Sequence, residues 1–82
     1  MTTLLANGKL QREACDRLEN VAGNLESWAD TEDRIADLYV MEQDHEQIQR
    51  HRNTRDNFRI QASVIRESIT AINNSDARRG AE

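Results

Sequence analysis

The stretch Glu42–Asn57, EQDHEQIQRHRNTRDN, decides the fold. Ile48 is its only aliphatic residue, and it sits inside a run, residues 24–79, that contains neither Gly nor Pro. Gln, Glu, Arg and His are acceptable helix residues, so one reading is the exposed middle of a continuous helix. Asn53-Thr54 supports the other: a cap for a third helix starting at Arg55, with Asp56 in its first turn. The first reading makes an antiparallel helical hairpin with a second helix over 31–73. The second breaks that helix near 53–54 and makes a small three-helix bundle. Both are all-α.

On the N-terminal side, Asp30-Thr31-Glu32-Asp33 reads as a helix boundary. Asp30 or Thr31 supplies a side-chain acceptor for the orphan N–H groups, and the two acids favour the positive end of the next helix. A first helix over 9–29 is then expected. Its apolar stripe is Leu10, Ala14, Leu18, Val21, Leu25 and Trp28, at helical spacing. Gly23 interrupts it, either as a tolerated exposed glycine or as a place where another backbone comes close. Residues 1–8 read as an arm ended by Asn7-Gly8, with Leu4 and Leu5 folded back as a flap. Beyond the waist, Phe58, Ala62, Ile65, Ile69 and Ile72 recur at spacings that resemble a coiled-coil seam. Residues 74–82 read as a flexible tail.

The whole chain of 82 residues is expected to be one helical domain. At 37% hydrophobic and 4% aromatic residues its core is thin. Small scaffolds with thin cores use disulfides, a metal or a partner chain. The single cysteine, Cys15, makes no internal disulfide and points to a cytoplasmic location. Completion by homodimerisation follows as the expectation. No apolar run reaches the roughly 18 residues of a membrane span.

Charge is unevenly spread. Residues 1–46 hold eleven acids and four bases, whereas residues 47–82 hold four acids and seven bases. Antiparallel helices, within one chain or between two, would set the acidic front against the basic back. The alternative is a basic surface for nucleic acid or an acidic partner. If the waist is helical, Arg52, Arg55 and Arg59 share a face in line with the apolar seam, flanked by Arg50. The net charge of −4 argues against a general DNA binder.

No catalytic, cofactor-binding or metal site is expected. Glu42 and His45 have the Glu-x-x-His spacing of di-iron bundles, but that chemistry needs two such pairs and two further carboxylates. Cys15 beside Ala14 reads as a small half-buried thiol. The three glycines are isolated and form no phosphate loop.

In size and composition the chain looks like the small helical inhibitors, adaptors and co-chaperones of bacteriophages and bacterial secretion systems. The expected function is therefore a non-enzymatic protein-binding module. Its partner-binding candidates are Trp28, Tyr39, Met41 and Phe58 as apolar anchors, with Arg50, Arg52, Arg55 and Arg59 as the charged face. A nucleic-acid or nucleotide binder and a structural assembly protein are the alternatives.

Overall fold

The computed structural model describes the backbone of residues 2–81 and the side chains of residues 8–74. Two helices, α1 (Thr2–Met41) and α2 (His45–Ala81), pack antiparallel as a hairpin. The Cα trace is a rod with extents of 63 × 17 × 12 Å.

The turn falls at Glu42–Asp44, at the very start of the waist. Neither reading of the waist anticipates it. Gln43 adopts the left-handed conformation, with φ of 56°. The Asp44 amide donates to the Tyr39 carbonyl at 3.2 Å, and the Gln43 amide to the Val40 carbonyl at 3.1 Å. Together these form the Schellman closure of α1, with glutamine in the position glycine usually takes. The Asp44 carboxylate then accepts from the Gln47 amide at 3.2 Å and caps α2. Glu46 adds an acid in the first turn of α2. Gln43→Gly removes the Cβ penalty of the left-handed region, about 1 kcal/mol. We expect it to raise the melting temperature by several degrees in a chain of this length, as read by far-UV circular dichroism. An unchanged or lowered melting temperature would contradict the turn geometry.

Two expected boundaries are overturned. The chain is helical through Asp30–Thr31 and through Asn53–Thr54. In both places the would-be cap serves the helix it was expected to end. Thr31 Oγ1 donates to the Ser27 carbonyl at 3.1 Å, and Thr54 Oγ1 to the Arg50 carbonyl at 3.1 Å. Asn53 Oδ1 accepts from Gln49 Nε2 at 2.8 Å, one turn away. Ser and Thr hydroxyls can bond to the carbonyl four residues back when the helix continues, so such residues mark a boundary only when something else stops the helix. The segments 1–8 and 74–82 also differ from expectation: α1 begins at Thr2, running through Asn7-Gly8, and α2 reaches Ala81. The flap formed by Leu4 and Leu5 lies outside the described side chains.

Burial along both helices follows a 3-4-3-4 rhythm. In α1 the less exposed positions include Cys15, Leu18, Ala22, Leu25, Ala29, Glu32, Ala36 and Tyr39. In α2 they include Ile48, His51, Arg55, Phe58, Ala62, Ile65, Ile69 and Ile72. This is the spacing of a two-stranded seam. Written as heptads, Cys15 and Ile48 stand at position a, Leu18 and His51 at position d. Among the described residues the buried ones are Ala22, Leu25, Ala29, Ala36, Ile48 and Ala62, four of them alanines. Among the described residues no large side chain is completely buried.

The expected stripe of α1 is therefore rotated away from the contact. Leu18 and Leu25 belong to the seam, but Leu10, Val21 and Trp28 are exposed. The alanines at 22, 29 and 36 take the contact face because small residues let α2 approach closely. A Cβ added at Gly23 meets nothing within 4 Å, which fits the tolerated exposed glycine.

Candidate functional site

The heptad frame divides the rod into two flanks. In antiparallel helices the e column of one lies beside the e column of the other, and g lies beside g. On the e side α1 carries Glu19, Glu26 and Asp33, each seven residues from the next. The e column of α2 carries Arg52, Arg59 and Arg66. The acidic front and basic back meet within one chain, as the antiparallel reading expected.

Arg66 forms the centre of this flank. Its Nε and Nη2 donate to the two oxygens of Glu26 at 3.1 and 2.6 Å, and its Nη1 donates to Glu19. One planar guanidinium thus ties two turns of α1 to α2, which a point-charge ammonium does not do. Arg55 Nη1 donates to Asp33 Oδ1 at 2.6 Å, and its Nε to Asp56 at 2.9 Å. Arg59 stands 3.8 Å from Asp30. Nearer the turn, His51 Nδ1 pairs with Glu32, and the His51 ring stacks on Tyr39 at 5.5 Å between centroids and 13° between planes.

These contacts shift the charged groups. The hydrogen bond from Arg66 holds the Glu26 carboxyl below its usual range, and that from Arg55 does the same for Asp33. Donating to the same acids pushes both arginines up. Carboxylates whose folded pKa is depressed contribute stability above their unfolded pKa and lose it as pH falls through the folded value. We therefore expect the melting temperature to be flat from neutral pH to about 5 and to fall below about pH 4. Added salt should flatten this acid limb, since the pairs lie at the surface. A melting temperature that holds steady down to pH 2 would show that the pairs do not stabilise the fold.

The g side is different. Its α1 column is Ala14, Val21, Trp28 and Ile35, and its α2 column is Gln47, Thr54, Gln61 and Ser68. Trp28 is half exposed, with its ring 5.8 Å from that of Phe58 at 56°. Leu10, Ala14, Leu18 and Val21 line an open groove with Glu13 and Arg17 towards the free ends of the helices.

The sequence-derived candidates separate accordingly. Tyr39 and Phe58 are half-buried and engaged inside the hairpin, on His51 and Trp28. Arg55 lies in the seam and is committed to Asp33 and Asp56. Arg52 and Arg59 share the e column, so the three arginines do not form one free row. Arg50 is exposed on the opposite flank, at position c. Met41 is 85% exposed at the turn end. Sequence reasoning missed Arg66, Glu19 and Glu26. The signal was present as the sevenfold spacing of Glu19, Glu26 and Asp33 against that of Arg52, Arg59 and Arg66. Glu42 and His45 lie on opposite sides of the turn, so their spacing is not that of one helix face. Cys15 is half-buried, its Sγ 3.9 Å from Asn73 Oδ1.

No helix among the described residues is long and apolar enough to cross a membrane. No family model, curated protein or solved structure matches the chain.

Proposed function

We propose that the chain is a small non-enzymatic protein-binding module that acts by helix-mediated contact with a partner protein. The observation that carries this reading is the amount of large apolar surface left outside the seam. Among the described residues eight large apolar ones are exposed, from Val21 at 46% to Met41 at 85%. Apolar surface gathered into patches on a charged protein marks interaction sites. Of the charged candidates, Arg55 is held inside the hairpin by Asp33 and Asp56, and Arg66 is held by Glu19 and Glu26.

The test is affinity capture from the native host lysate with the wild-type chain, Trp28→Glu and Met41→Glu. Both residues are exposed, so both variants should keep the helical signal. A protein retained by the wild type and lost by either variant supports the reading. Retention by both variants at wild-type level, or no retained protein at all, counts against it.

A further inference from the structure

We infer that the uncharged flank is the contact surface of a homodimer, in which a second copy lays the same flank against it to form a four-helix bundle. This deepens the binding-module reading by naming one occupant of the apolar surface.

Five of the eight exposed large apolar residues fall on this one side: Val21 and Trp28 at position g, and Leu10, Leu38 and Val64 at position c. In these two columns, over residues 10–71 of both helices, the only charged residues are Arg17 and Arg50, one towards each end of the rod. The chain as a whole is 32% charged, and its fifteen acids all lie elsewhere over that span or outside it. With only these two arginines, set well apart along the rod, the flank meets its own copy with little like-charge penalty, which suits an isologous two-fold contact.

The width of the pattern agrees. A two-stranded seam needs apolar residues only at a and d, whereas a bundle helix adds e or g. In α1 the g column Ala14, Val21, Trp28 and Ile35 is apolar throughout. The flank spans both helices, and a second hairpin has matching width where a single partner helix would cover half.

The surface area agrees as well. The hairpin exposes 6505 Å². A folded monomer of 9.4 kDa is expected to expose about 5,000 Å². The difference, roughly 1,500 Å², is the surplus of a thin rod over a compact fold and is spread over the whole chain, and a standard interface withdraws ~800 Å² of surface from each partner.

The test uses the full chain in sedimentation equilibrium from about 1 to 100 µM. We expect the wild type to reach twice the chain mass, and Val21→Glu and Val64→Glu to stay at the chain mass with unchanged far-UV helicity. Ile60→Glu and Met41→Glu, on other faces, should dimerise like the wild type. Trp28 is the only tryptophan and reports on the same surface without substitution. Dilution through dissociation should red-shift its emission and raise acrylamide quenching severalfold. A wild type that remains monomeric at 100 µM overturns the inference. So does a dimer whose mass is insensitive to Val21→Glu and Val64→Glu, or whose Trp28 emission is unchanged on dilution. A monomer that still captures a host protein through Trp28 or Met41 overturns the dimer while leaving the binding-module reading standing.

Discussion

Leu25→Ala is expected to lower the melting temperature by roughly 10–25 °C. Leu25 is 6% exposed and forms the centre of the core with Ala22 and Ala62, with Phe58 and Ile65 packed against them. Truncating a buried leucine costs about 2–4 kcal/mol, through lost transfer energy and the cavity left behind. In a chain of this length each kcal/mol moves the midpoint by about 4–8 °C. The loss is large here because Leu25 is the one large side chain among the buried members of this cluster, the others being Ala22 and Ala62. Urea unfolding followed by circular dichroism checks it. The midpoint should fall with the slope unchanged, and a shift under about 5 °C in the thermal experiment would place Leu25 outside the core.

Ala29→Leu is expected to destabilise, although it adds an apolar residue of comparable helix propensity. Ala29 is fully buried, one heptad from Ala22 and one from Ala36, which are also fully buried. The three alanines form a smooth column over which α2 passes closely. Three extra carbons at the centre force the helices apart or strain the neighbouring rotamers, at a cost of about 1–3 kcal/mol. The expected fall in melting temperature is roughly 5–20 °C. A rise would show that the seam has room and that the alanines are fillers. Propensity and hydrophobicity alone predict little change or a gain, so the sign of the effect separates close packing from simple burial.

The helical class of the chain was legible because Gly and Pro are absent from residues 24–79 and apolar residues recur at helical spacing. The segregation of an acidic front from a basic back was legible too, and antiparallel pairing was one arrangement it allowed; which charges meet follows from a sevenfold spacing that the asymmetry alone does not reveal. The place of the turn was harder to see. Asp44-x-x-Gln47 is a cap with an amide-bearing residue at the third position, yet Gln43 gives no warning that it will take a left-handed φ. The Asp30-Thr31 and Asn53-Thr54 sites looked stronger, because a hydroxyl or carboxamide that ends a helix is chemically the same as one that bonds back along it. The contact face of α1 lies one column from its stripe of large residues, because Ala22, Ala29 and Ala36 occupy it. In a close two-helix contact the small residues take the interface, and Trp28 stays half outside.

Sequence by itself determined that the protein is helical, that its charges are segregated, and that its core is too thin to bury all of its large apolar residues. Those properties follow from residue type and spacing, which act locally. Tertiary structure decided where the chain reverses, which columns face each other, and which arginines are already spoken for. Those are non-local choices: with Gln43 in the left-handed conformation at the turn, Ala22 and Ala62 share one core cluster and Glu26 meets Arg66. The waist illustrates both sides. Its polarity was plain from residue types, but only the fold shows that it is a tight turn followed by a helix whose Arg55 and His51 serve the seam.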